Sequence, residues 1–395
     1  MSISKEREKD LRALITTVTK DLKLEPGDLV MGKDLSPERP RTTTGILALD
    51  VALNGGLPLD QWIEIVGHES GGKTATAMQI VAAQQRIDPE WICLWVAAEG
   101  FEREFAEMHG VDTERMLIVE MNSMEEVFET VVKAMELRAA DGFVIDSYPA
   151  LVPTGEYERE MIEGQMPAVG ARLFNQFFRK VQKASRRSMI HTDRHWIGII
   201  VNQWRESIGV MFGDPRTTPG GKGKNYSYYI RLEVAREEWL DNGLTKRDKE
   251  IVGQTIRCKI FKNKSGPPQR ICHYDFYFAD HDGMKAGDID LIKDVFNTAE
   301  ALKVVTRKET GNAYFFNGEQ IGGNRPATLR NLGKNPDLAE QIQKEVMALV
   351  SRKRLGVTEE EAQQAEELGG EGEEVDENPV PHPKRKKTVS RSKKS

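Results

Sequence analysis

Cysteine is scarce in this chain: three residues in 395, Cys93, Cys258 and Cys272, far apart. An odd number at such spacing excludes a disulfide framework and fits no zinc-ligand pattern. Cys93 and Cys258 fall in apolar or alternating runs and are expected as buried free thiols. Long hydrophobic runs are missing as well. None approaches the roughly 20 residues that cross a bilayer, and the opening MSISKEREKDLR lacks the apolar stretch of a secretion signal. A cytoplasmic chain without membrane contact is therefore expected. Nor is there a basic excess. The net charge of -6 argues against a uniformly basic coat for nucleic acid, yet leaves room for local basic loops on an acidic body.

What is present is periodic structure enough for one large domain with satellites. Leu11, Leu14, Ile15, Val18 and Leu22 recur at helical spacing and predict an amphipathic helix over about 4–23. Its apolar stripe docks either on its own core or on a neighbouring subunit; the sequence does not choose. From Trp62 to about Asp280, short apolar runs alternate with helical patterns, the signature of an α/β domain with a mainly parallel, twisted sheet flanked by helices. The runs Trp62–Val66, Ile92–Val96, Gly142–Ile145 and Trp196–Val201 each end in polar residues. In a parallel sheet those ends share one edge, where such sheets place their ligands. After Gly283 two helical patterns (288–303 and 337–354) enclose a strand-like piece at Ala313–Phe316, predicting a small α+β domain. The division expected is 1–36, N-terminal helix and linker; 37–282, core; 283–355, C-terminal domain; 356–395, tail. Residues 359–377 hold ten acidic residues and no basic one, and 384–394 seven basic and no acidic one, so the tail is expected to stay unfolded.

The chemistry concentrates in Gly67-His68-Glu69-Ser70-Gly71-Gly72-Lys73-Thr74, which matches G-x-x-x-x-G-K-[ST] between a strand and a helical run. Glycines there let backbone N–H groups curl around phosphate oxygens, Lys73 neutralises the terminal phosphates of ATP, and Thr74 can hold Mg2+ through its hydroxyl. Asp146, with Ser147 after it, ends an apolar strand, the place of a magnesium-organising acid acting through water. Glu99 closes the adjacent run, positioned to orient or deprotonate an attacking water, although a solvated loop glutamate would look the same. Gln203 either hydrogen-bonds the terminal phosphate or is an ordinary surface amide.

Further along, Val201-Asn202-Gln203 is followed by Ile208-Gly209-Val210-Met211-Phe212-Gly213-Asp214-Pro215 and Gly220-Gly221. Together with Ser70–Thr74, Ala98-Glu99 and Val144–Ser147, this order resembles the bacterial RecA family from about Gly45 to Val350. The resemblance implies an ATP-dependent recombinase, active in DNA repair and the SOS response to DNA damage. Such proteins form homo-oligomeric helical filaments on single-stranded DNA, pair them with duplex DNA and exchange strands. Carried over by position, Glu99 is the catalytic glutamate, Gln203 the nucleotide sensor, and Glu102 and Phe105 flank the adenine. Lys262 and Lys264 reach the phosphates of a neighbouring subunit's ATP. A first DNA loop follows Ala150–Pro153 and runs to about Gln165, with Arg172 and Arg179 on the next helix holding DNA phosphates. In the second loop Arg205, Lys222 and Lys224 supply charge, and Ile208, Val210, Met211 and Phe212, apolar in a glycine-flanked segment, suit insertion between bases.

Departures from the family pattern are His68 for proline, Gly71 for serine, Pro167 for glycine, Asn225-Tyr226 for Lys-Phe, a longer 186–195 stretch and a basic chain end. They bear on subunit contacts rather than on ATP chemistry. The acidic part of the tail either competes with DNA for the basic loops or only keeps the chain in solution; the sequence does not choose. Two rival readings remain at this stage: a ring helicase of the same superfamily, and a DNA-coating filament protein with little turnover. Single-strand-binding and loader proteins are further partners left open by the sequence.

Overall fold

The structure, a computed structural model, describes residues 3–24, 28–34, 39–157, 167–190, 194–206, 216–221, 223–245, 248–308 and 311–355. The tail, most of the first DNA loop and residues 207–215 of the second, with Ile208–Phe212, lie outside them, as does Lys222.

The core is an eight-stranded sheet. In chain order its strands are β1 (Gln61–Gly67), β2 (Cys93–Ala97), β3 (Met116–Val119), β4 (Gly142–Asp146), β5 (Ile197–Gln203), β6 (Ile230–Asp241), β7 (Ile251–Asn263) and β8 (Arg270–Tyr277). They lie in space as β8-β7-β6-β1-β5-β4-β2-β3. The six strands from β6 to β3 pair in parallel, while β7 and β8 extend the sheet as antiparallel neighbours. Four of the strands are the four apolar runs expected from sequence.

Parallel strands are apolar on both faces because helices cover both. On one side Ile63, Ile65, Val144, Ile199 and Val201 pack against Ala77, Ile80 and Val81 of helix α3 (Lys73–Ile87). On the other, Trp62, Phe143, Ile145 and Ile200 meet Val127, Val131, Phe174 and Phe177 from α5 (Met124–Leu137) and α6 (Pro167–Ile190). α2 (Leu47–Ala52) precedes the sheet, and α4 (Arg103–Met108) connects β2 to β3. All three cysteines are buried free thiols, as expected for Cys93 and Cys258; Cys272 faces Cys258 across β8 and β7.

The N-terminal helix α1 (Lys5–Asp21) starts at Ser4, whose side chain accepts from the Arg7 N–H. None of its residues is buried, and Leu14 and Leu22 stand exposed. Between the two dockings left open by sequence, α1 does not sink its stripe into its own core.

After the sheet come α7 (Leu291–Ala301), a three-stranded antiparallel sheet of β9 (Val305–Arg307), β10 (Tyr314–Phe316) and β11 (Glu319–Gly322), then α8 (Arg325–Lys334) and α9 (Pro336–Leu355). Phe296, Tyr314, Leu332, Ile342 and Val346 form their core, which also takes in Leu47 of α2. Asp294 tightens that contact by accepting from the Leu47 N–H at 2.6 Å and the Ala48 N–H at 3.1 Å. Among the described residues no helix is long and apolar enough to cross a membrane.

Candidate nucleotide and DNA site

β1 leads into α3 and the chain then passes to β2, leaving a gap that β4 and β5 later fill. This order opens a crevice at the carboxyl edge of the sheet, and the loop Gly67–Thr74 lies there. Two glycines in it are dictated by geometry. A Cβ on Gly67 would stand 2.1 Å from the Val234 carbonyl oxygen. Gly72 has φ +91°, and a Cβ there would meet the Ile256 Cδ1 at 2.6 Å. The loop hands over to the N-terminus of α3, whose first N–H groups have no partner within the helix and favour an anion.

Lys73 is buried, and its ammonium donates to the His68 carbonyl at 2.7 Å. Burial pushes its pKa down, opposed by the nearby charges of Asp146, Glu99 and Glu69. The Thr74 hydroxyl donates to Asp146 Oδ2 at 2.8 Å. Burial raises the Asp146 carboxyl to about 6 even against that bond, and Glu99 adds to the rise. The ends of β2 and β4 are joined by the Ala98 N–H donating to the Asp146 carbonyl, 3.0 Å, which brings Glu99 beside Asp146. The Ser147 hydroxyl donates to Glu99 Oε1. Gln203, last residue of β5, is in register with Gly67, first of the loop. Lys73, Thr74, Glu99, Asp146, Ser147 and Gln203 thus share one corner, as their sequence positions predict. A hydroxyl and a carboxylate in contact beside a buried ammonium and an open helix N-terminus fit a magnesium nucleotide.

Glu102 and Phe105 lie on α4 and at its start. Phe105 is 39% exposed and its ring meets His109 edge-on at 4.3 Å. His109, which sequence reasoning missed, is buried, shares a hydrogen bond with the Phe105 carbonyl at 2.7 Å and stacks on Phe276. It is the floor under Phe105.

Lys262 and Lys264 stand elsewhere. β7 runs antiparallel, so Asn263 pairs with Ile230, which pairs with Ile63 near the start of β1. Both lysines therefore sit toward the edge opposite the chain's own phosphate loop. Lys262 donates to the carbonyls of Asn225 and Tyr228, and Lys264 to that of Tyr226. Burial, with Lys264 and Arg231 nearby, lowers Lys262 to about 8.

On the DNA side, α6 carries Arg172 and Arg179, both exposed. The Val152–Pro153 end of the first loop leads into a single helical turn, Thr154–Tyr157. Arg205 and Glu206 pair antiparallel with Thr217 and Arg216, so the second loop rises from a two-stranded stem. Glu233 of β6 clips that stem: its Oε1 accepts from Trp204 Nε1 at 3.0 Å and from Arg216 Nη1 at 2.5 Å. Beneath the stem lies a buried ionic cluster built on Glu64, with Asn202, Lys224 and Arg231. Sequence reasoning missed the clip and read Lys224 as a loop charge. The available signal was a glutamate inside the apolar run Trp62–Val66.

A family model for the RecA N-terminal domain matches residues 16–284. Protein RecA of Frankia casuarinae is 35% identical over 329 residues, 83% of this chain and 87% of that one. Protein RecA of Kineococcus radiotolerans is 33% identical over 355 residues, 89% and 93% of the two chains. That of Paenarthrobacter aurescens is 32% identical over 377 residues, 94% of this chain and 100% of its own. A shared phosphate loop alone would not produce likeness over more than four-fifths of the chain, and the chain belongs to the RecA family.

Proposed function

We propose that this chain is an ATP-dependent recombinase that polymerises on single-stranded DNA and pairs it with homologous duplex. The observation that carries the reading is the placement of Gln203 beside Gly67, because the strand that ends at the nucleotide also begins the second DNA loop. Nucleotide state and DNA contact then share one strand end.

In this reading Lys73 and the α3 N-terminus bind the phosphates, and Thr74 with Asp146 holds the magnesium, which supplies charge neutralisation when bound. Glu99, oriented by the Ser147 hydroxyl, accepts a proton from the water that attacks the terminal phosphorus, and ADP leaves. Phe105, backed by His109, offers a flat partner for the base. Lys262 and Lys264 lie toward the far edge of the sheet from their own loop and suit the phosphates held by the next subunit. A polymer whose sites are completed only across its joints binds nucleotide and assembles interdependently. A head-to-tail joint closes into a ring or continues as an open helix according to its rotation; the unburied stripe of α1, available to a neighbouring subunit, and the likeness to the RecA family favour the open helix. Arg172, Arg179 and Arg205 meet DNA phosphates without sequence preference, which leaves recognition to base pairing.

The test is ATP hydrolysis with and without single-stranded DNA, for the wild type, Lys73→Ala and Glu99→Gln, with electron micrographs of the same mixtures. DNA-stimulated turnover lost in both variants, together with helical filaments, is the expected result. Rings, or turnover indifferent to DNA, would overturn the reading.

A further inference from the structure

Between the phosphate-loop strand and the second DNA loop lies a charge cluster with no role in binding or hydrolysis. Glu64 and Lys224 are each 0% exposed, and Arg231 is nearly as deeply buried. Glu64 Oε1 accepts from Lys224 Nζ at 3.2 Å and from Asn202 Nδ2 at 2.8 Å, while Oε2 accepts from Arg231 Nε at 2.5 Å. Lys224 donates further to Thr218 Oγ1 at 2.5 Å and Asn225 Oδ1 at 3.2 Å.

Each partner belongs to a different functional element. Glu64 stands three residues before Gly67 on β1, and Asn202 immediately before the sensor Gln203, whose N–H it accepts at 2.9 Å. Thr218 and Lys224 belong to the returning side of the second loop. That side is wedged tightly. Gly220 has φ +96°, and a Cβ on it would lie 2.9 Å from Lys224 Cδ, 3.1 Å from Phe174 Cδ1 on α6 and 3.1 Å from the Tyr148 hydroxyl. A Cβ on Gly223 would meet Asn175 Oδ1, also on α6, at 2.7 Å. The helix bearing Arg172 and Arg179 thus presses the returning segment onto Lys224.

One carboxylate serving two buried cations makes a poor permanent brace. Such clusters are costly to bury and are weak grounds for stability, but breaking one partner away is costlier still. Lifting the returning segment from β1 breaks the buried Lys224–Glu64 bond and leaves Glu64 with Arg231 as its one cation, so the segment's position and the charge balance beside the phosphate-loop strand change together.

We propose that Lys224 is a positioning residue: through Glu64 it fixes the returning side of the second DNA loop to the phosphate-loop strand, transmitting nucleotide state to the DNA contacts. The inference rests on the recombinase reading above. Coupling is reciprocal by linkage, so ATP tightens DNA binding by the same factor by which DNA tightens ATP binding.

The experiment compares full-length wild type, Lys224→Met, in which Glu64 keeps Arg231 as its partner, and the double variant Glu64→Gln/Lys224→Met, in which the glutamine carbonyl still accepts from Arg231. Single-stranded oligonucleotide affinity is measured by anisotropy with a slowly hydrolysed ATP analogue and with ADP. DNA-free ATP turnover and the thermal midpoint are recorded alongside. The ratio of the two DNA affinities should fall about tenfold in both variants, with DNA-free turnover within about twofold of wild type. Should either folded variant keep the wild-type ratio, the inference is overturned, and a lowered thermal midpoint with that ratio intact would make the cluster merely structural. If wild type itself binds DNA equally with either nucleotide, the recombinase reading fails first, and visibly so.

Discussion

Gly72 combines a left-handed backbone with a side-chain neighbour, Ile256, that leaves no room for a methyl group. Gly72→Ala should therefore cost about 2 kcal/mol or more of stability, read from denaturant midpoints, and should weaken nucleotide binding in the same protein. Lys262 gives a second residue-scale prediction. Its pKa is lowered to about 8 by burial and by Lys264 and Arg231, whereas a phosphate from a neighbouring subunit would raise it. Assembly then takes up a proton. It should be unaffected below pH 8 and weaken above it, by up to about tenfold per pH unit per site, as followed by light scattering with nucleotide. Lys262→Arg, which stays charged, should remove that pH dependence. Individual residues were legible where the motif is local: Gly67–Thr74, Glu99, Asp146 and Gln203 each end a recognisable run. Glu64, Asn202 and Glu233 were not, because their partners come from strands remote in sequence and adjacent only through the β6-β1-β5 order.

At the scale of elements, long buried strands and amphipathic helices could be read from periodicity, since burial on both faces leaves continuous apolar runs. β3 escaped because it is a four-residue edge strand with two exposed residues, Leu117 and Ile118. α8 escaped because only two of its residues, Thr328 and Leu332, are buried, too few to mark a stripe. The seam between α2 and α7 was invisible for another reason: Asp294 caps a helix nearly 250 residues earlier in the chain. Burial raises this carboxyl to about 7, with Asp50 contributing. The sign follows from the raised value. The folded state holds a proton that the unfolded chain has released above its ordinary 3.8, so this group favours folding at low pH and loses that contribution as pH rises toward 7. Asp294→Asn should gain stability relative to wild type between pH 5 and 8, by an amount on the order of a few kcal/mol. Parallel thermal melts at the two pH values test the sign; a constant or shrinking difference contradicts it.

For the whole molecule, the unburied stripe of α1 and the position of Lys262 and Lys264 toward the opposite edge from the phosphate loop point the same way. In the proposed reading, one chain carries the parts of a site that two chains complete. From the sequence this is legible only through family resemblance, because periodicity shows that α1 has an apolar face and cannot show what covers it. The acidic-then-basic tail lies outside the described residues, and its proposed competition with DNA is tested by deleting 357–395 and following duplex uptake against magnesium. The most direct measurement is complementation in mixed filaments of Lys73→Ala with Lys262→Ala/Lys264→Ala, each inactive alone. In a head-to-tail polymer, random mixing at equal amounts rebuilds intact joints at roughly a quarter of positions, so DNA-dependent ATP turnover should return to about that fraction of wild type. No recovery, in filaments shown to contain both variants, would mean that each chain's lysines serve its own nucleotide and would contradict the shared site.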